Sequence, residues 1–206
     1  MIVYLHGLNS AGSSAKAACL REALPHIEIV SPTYPAQTAS LEVEVLEQEL
    51  RETFAQPDRS NEPRVLVGSS MGGFYGAWLA DRLEVQHLFM INPALEPWQL
   101  LKQVVGWQFN EALHTSYHLS DEMVEATRAY ATDPSKLITP TTLLLDKGDE
   151  LIDYHTSVAL YEGHARIHCF EGGSHGFDHM DEALEIIGQV YRSLIRTAFP
   201  LPQFGD

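Results

Sequence analysis

Val65-Leu66-Val67-Gly68-Ser69-Ser70-Met71-Gly72-Gly73-Phe74-Tyr75-Gly76-Ala77-Trp78-Leu79-Ala80 decides how the rest of the chain is read. An apolar run enters a Gly/Ser-rich turn, and the turn enters a helix-like segment. Gly68 to Gly72 spell G-x-S-x-G, which marks a nucleophile elbow when a strand precedes it and a helix follows. Ser70 must then stand on a sharp turn with its hydroxyl projecting beyond the sheet. Glycines two residues either side carry no side chain to collide there, and they tolerate unusual dihedrals. The helix that follows aims its N-terminal amides at Ser70, so negative charge developing there would be stabilised. A Gly/Ser turn without chemistry is the competing interpretation, and it weakens once strand and helix are both in place.

Outward from the elbow, apolar runs alternate with helical patterns, which predicts a mainly parallel sheet with helices on both faces. Strands are expected over 2–6, 27–30, 64–69, 87–91, 141–145 and 166–170, about six in all. Helices are expected over 14–24, 39–55, 71–82, 154–162 and 179–197. The helix over 39–55 sets Leu41, Val45, Leu46, Leu50 and Phe54 on one face. Residues 94–139 break the rhythm and read as a short, cap-like helical insertion, with helices near 97–105 and 120–131. Its aromatic density makes Trp98 and Trp107 candidates for a substrate-pocket wall. The tail after Ala198 reads as loosely held.

Residues 1–206 fit a single domain with a full core. With 28 acidic against 13 basic residues the net charge is −15, which argues against nucleic acid and anionic lipid as partners. Strongly anionic substrates are disfavoured too, unless a local basic pocket exists. No apolar run is long enough to cross a membrane, and the N-terminal sequence lacks the features of a leader peptide. Cys19 and Cys169 suit a reducing cytoplasm as small apolar core residues.

Reactive groups of open parallel sheets gather beyond the C-terminal strand ends. Ser70, Asp149 and His175 follow the third, fifth and sixth expected strands, in the order Ser, Asp, His of the α/β-hydrolases. A serine hydroxyl needs a base within reach, and an imidazole titrates in the useful range. His175 is the expected base, with His179, His164 and His168 as competitors. Asp149 is the expected partner of His175, with Asp153 the main alternative and Asp146 and Glu150 nearby. The oxyanion donors are expected to be the backbone N–H groups of Met71 and Leu8. His6 reads as structural, and His114 and His118, four apart, read as packing or surface residues of a helix rather than zinc ligands.

His6-Gly7-Leu8-Asn9-Ser10, the Gly68–Tyr75 elbow, Asn92-Pro93-Ala94, Gly148-Asp149-Glu150-Leu151-Ile152-Asp153-Tyr154 and Glu171-Gly172-Gly173-Ser174-His175 resemble the YqiA-like esterases, small bacterial α/β-hydrolases. The resemblance spans nearly the whole chain and is weakest over 106–140 and in the tail. It implies a carboxylesterase for short-chain acyl esters or thioesters, with Ser70, Asp149 and His175 as triad. Leu8 stands where such loops often carry an aromatic residue. The expectation is therefore a cytoplasmic serine esterase that uses no cofactor or metal. The alternatives are an acyl thioesterase and a catalytically idle hydrolase fold used as a binding module.

Overall fold

The computed structural model describes residues 1–38, 41–59 and 62–198. The first half holds β1 (Ile2–Leu5), α1 (Ala15–Ala23), β2 (Ile29–Val30), α2 (Leu41–Phe54), β3 (Val65–Ser69), α3 (Met71–Arg82) and β4 (His87–Ile91). The second half holds α4 (Pro97–Leu101), β5 (Gly106–Asn110), β6 (Thr115–Leu119), α5 (Asp121–Ala126), β7 (Thr141–Asp146), α6 (Tyr154–Tyr161), β8 (Arg166–Phe170) and α7 (Met180–Ala198). Six strands form one sheet in the order β2-β1-β3-β4-β7-β8, and each neighbouring pair is parallel.

Strand side chains alternate between faces, so the same apolar runs build two cores. Leu5, Leu66, Leu88 and Leu143 face α2 and α3, where Leu46, Leu50, Phe74 and Tyr75 meet them. Tyr4, Val67, Phe89 and Leu144 belong to the other core, closed by Ala17 and Leu20 of α1 and by Ile187 and Tyr191 of α7. This double cover is why the central strands read as continuous hydrophobic runs rather than as alternating ones.

Three expectations change. Among the α2 side chains described, which do not include that of Leu41, the buried apolar ones are Val43, Leu46, Leu50 and Phe54, while Val45 is 54% exposed. The helix is rotated so that Glu47 lies beside the buried stripe and pairs with Arg51 and Arg82. Residues 39–40, included in the expected helix, and the tail lie outside the described residues. Cys19 is half-buried and Cys169 exposed, so neither is a core residue. Cys169 sits on β8, an edge strand that is solvated on one side.

The third change is in 94–139. Helices form at α4 and α5, but β5 and β6 between them pair as an antiparallel hairpin, with Trp107 opposite His118 and Phe109 opposite Ser116. Trp107 and Phe109 share one face of it by the two-residue period of a strand. His114 lies in the hairpin turn at a φ of 51° and His118 on β6, so the two never share a helix face. Among the described residues, no helix is long and apolar enough to cross a membrane.

Candidate active site

Ser70 is the one residue between β3 and α3, at φ 54° and ψ −119°. A non-glycine residue in that region carries strain of order 1–3 kcal/mol and persists only where its surroundings enforce it. They do so here. The Ser70 N–H donates to the Ile91 carbonyl at 3.0 Å, and the Ser70 carbonyl accepts from the Gly73 and Ala94 amides at 3.0 and 3.1 Å. The flanking glycines serve clearance rather than dihedral freedom. A Cβ on Gly68 would lie 2.2 Å from the Gly72 carbonyl oxygen, and one on Gly72 would lie 2.0 Å from that of Leu5. The strained dihedral falls on the serine itself.

His175 comes from the loop after β8 and Asp149 from the turn after β7. His175 Nε2 lies 3.1 Å from Ser70 Oγ, and His175 Nδ1 lies 2.9 Å from Asp149 Oδ2. The other carboxylate oxygen, Asp149 Oδ1, accepts the Leu151 and Ile152 amides at 2.9 Å each. Those bonds fix the carboxylate plane and leave Oδ2 for the imidazole. The His175 backbone N–H donates to Glu150 Oε2 at 3.0 Å, a bond that holds the Glu150 carboxyl below its ordinary pKa.

The competitors have other partners. Asp153 caps α6 and bonds His155, with both side chains mostly exposed. His168 is half-buried on β8, and its buried Nε2 has no hydrogen-bond partner among the described residues; His164 lies exposed in the turn before that strand. Asp146 and His179 form a second Asp–His pair: Asp146 Oδ1 lies 2.7 Å from His179 Nδ1, and Oδ2 accepts the Ser174 and Asp178 amides at 3.2 and 2.7 Å. This sealed carboxylate, fully buried, ties both ends of the loop that carries His175. Gly173, at a φ of 76°, lets the chain pass, since a Cβ there would lie 1.9 Å from Asp146 Oδ2.

Asn92 completes the frame from the end of β4. Its amide nitrogen donates to the Ser174 carbonyl at 2.9 Å and its amide oxygen accepts the Asp146 N–H at 2.9 Å. In the sequence Asn92 stands out only through the Asn92-Pro93-Ala94 motif after an expected strand. A polar amide at a sheet edge, directly between the strands bearing Ser70 and Asp149, was the available signal. Glu150 and Asp146, alternatives to Asp149 by sequence position, instead hold the histidine loop.

Leu8 and Met71 both line the Ser70 cavity, and neither backbone N–H has a protein acceptor among the described residues. Met71 opens α3, where a helix leaves its first amides free. Leu8 follows His6 and Gly7, which are held in place by Tyr34. His6 is 1% exposed, its Nδ1 bonds the Gly7 carbonyl at 2.8 Å, its Nε2 accepts the Tyr34 N–H at 3.2 Å, and its ring stacks on Tyr34. Burial lowers the His6 pKa, so the ring stays neutral and structural. Neutral Nδ1–H with Nε2 as acceptor is the tautomer these two bonds require.

The cavity encloses about 720 Å³ over Ser70. Its apolar wall comes from Leu100, Leu101 and Val104, together with Leu151 and Ile152. Neither Trp98 nor Trp107 contributes, contrary to expectation. Trp98 packs edge-on to Phe74 under the Arg128 guanidinium and lines a smaller recess of about 170 Å³. Trp107, 76% exposed, stands on the hairpin. The segment does help wall the site, through the aliphatic residues of α4 and the turn after it.

The model of the family described as "Uncharacterised protein family (UPF0227)" matches residues 1–191. Among solved structures, Est1E from Butyrivibrio proteoclasticus, with ferulic acid bound, superposes with a TM-score of 0.72 at 14% identity, covering 97% of this chain and 89% of that one. Mouse alpha/beta hydrolase domain-containing protein 10 gives 0.68 at 15% identity, covering 94% and 90%. Monoacylglycerol lipase from Paleococcus ferrophilus gives 0.64 at 16% identity, covering 96% and 93%. The shared architecture is the α/β-hydrolase fold.

Proposed function

Because the chain belongs to the UPF0227 family, the YqiA family, we propose that it is a serine carboxylesterase hydrolysing small acyl esters through an acyl-enzyme. The observation that carries this reading is the unbroken relay from Ser70 Oγ to His175 Nε2 at 3.1 Å and from His175 Nδ1 to Asp149 at 2.9 Å. One structural relative is named a monoacylglycerol lipase, which fits the same reaction class.

Ser70 Oγ attacks the ester carbonyl carbon while His175 Nε2 takes its proton. The carbonyl oxygen becomes an oxyanion and accepts the free Leu8 and Met71 amides. His175 returns the proton to the leaving alcohol, the C–O bond breaks, and the acyl group stays on Ser70. Water deprotonated by His175 then releases the acid. Asp149 holds the imidazole tautomer and stabilises the imidazolium without itself taking the proton. One preorganised oxyanion donor is worth about 10²–10³ in rate. The reaction needs no cofactor, and a cytoplasmic site of action suits two unpaired thiols.

A fluorophosphonate should add to Ser70 and nowhere else, read as one mass shift on the peptide that contains it. Ser70→Ala should abolish the adduct and hydrolysis together. A folded protein that neither forms the adduct nor cleaves acyl esters of graded chain length would sink the reading.

A further inference from the structure

The Ser70 cavity is unevenly charged. Among the described residues lining it, Lys16 and Glu150 alone carry a standing charge. Glu150 is engaged, since it accepts the His175 N–H at 3.0 Å. Lys16, in the first turn of α1, is half-buried, and among the described residues no bonded counter-ion meets it, while Asp146 and Asp178 attract it through space. Those carboxylates have nearer partners. Asp146 holds His179 and two amides, and Asp178 accepts the Ser174 hydroxyl at 2.9 Å. Burial lowers the Lys16 pKa, as it does for any ammonium drawn out of water without a bonded counter-ion.

Its placement matters as much as its charge. Ala17, the residue after Lys16, belongs to the core on one face of the sheet, while Leu101 of the apolar wall belongs to the core on the other. Lys16 and the apolar wall thus reach the same cavity from opposite layers of the sheet. A molecule bound in the cavity beside Ser70 therefore meets both apolar side chains and a cationic residue.

We infer that Lys16 is a specificity residue whose ammonium pairs with a carboxylate on the substrate, so that half-esters of dicarboxylic acids or esters of carboxylated alcohols are preferred over neutral esters. This rests on Ser70 being the nucleophile. One ammonium balances one negative charge. A phosphate dianion would leave a charge uncompensated near Asp146 and Asp178, which selects the carboxylate. The net charge of −15 does not forbid this, because beyond about 8 Å physiological salt screens surface charge, whereas the pair forms inside the cavity.

The test compares kcat/KM for length-matched pairs. One pair carries the charge on the acyl half (p-nitrophenyl hydrogen glutarate against p-nitrophenyl pentanoate). The other carries it on the alcohol half (3-carboxyphenyl butyrate against 3-methylphenyl butyrate). In at least one pair the anionic ester should be favoured by about 10–100-fold, the range of a charge-assisted contact. Lys16→Met and Lys16→Gln should each collapse that ratio through KM, and Lys16→Arg should keep it within about threefold. A ratio near one in both pairs, or a ratio unmoved in both neutral variants, overturns the inference. If Ser70 still takes the fluorophosphonate and neutral esters are still cleaved, the inference falls alone. If no adduct and no turnover appear, the esterase reading falls and takes it along.

Discussion

Two Asp–His pairs hang from the same edge of the sheet. Asp149–His175 and Asp146–His179 have similar bonds, 2.9 and 2.7 Å, and similar burial, with carboxylates 2% and 0% exposed and imidazoles 21% and 24%. What separates them is the far ring nitrogen. His175 Nε2 meets Ser70 Oγ, whereas the His179 ring stacks on Phe170 at 4.9 Å between centroids and lines no part of the Ser70 cavity. The hydrogen bond between carboxylate and imidazole is thus not diagnostic by itself. One pair is aimed at a hydroxyl on a strained turn, and the other ties together the loop that does the aiming.

Substitutions that separate these roles should sharpen the contrast, and the largest effect belongs to the aimed imidazole. His175→Ala should lower kcat for ester hydrolysis by at least about 10⁴-fold, as loss of the base in a serine triad does, with the melting temperature nearly unchanged. Asp149→Asn keeps an oxygen for the Leu151 and Ile152 amides but loses the anionic partner of His175, so kcat should fall about 10³–10⁴-fold, again without loss of fold. Across the loop the pattern should invert. Asp146→Asn faces three donors with a poorer acceptor and should cost about 3 kcal/mol of stability in a denaturant titration, while kcat per folded molecule drops less than tenfold. His179→Ala should show the smallest change, about 1.5 kcal/mol, seen as a melting temperature lower by several degrees. Should His179→Ala and His175→Ala lose kcat equally at unchanged stability, the division of labour drawn between the two pairs is wrong.

The sequence could rank these histidines because local order carries the signal. His175 follows a Gly-Gly-Ser turn directly after a strand, and Asp149 follows a glycine directly after another. Nothing local revealed that Asp146, the last residue of its own strand, would bond His179, because that contact spans 33 residues and depends on β7 and β8 being neighbours. The hairpin β5–β6 was missed for a similar reason. Two five-residue strands with one solvated face carry a weak period, and pairing across the turn, not propensity, holds them. Val45 in place of Val43 shows the same limit at smaller scale: both fit a helical stripe, and the angle at which α2 meets the sheet chose between them.

By itself the sequence determined the parallel sheet, the strained serine turn and the three residues at the strand ends, because each rests on patterns a few residues long. Only the tertiary structure decided that two tryptophans stand clear of the cavity, that aliphatic residues of α4 wall it, and that Lys16 from the opposite layer enters it. Those outcomes depend on how separately formed elements stack over one strand end, and no short-range pattern encodes the distance between layers.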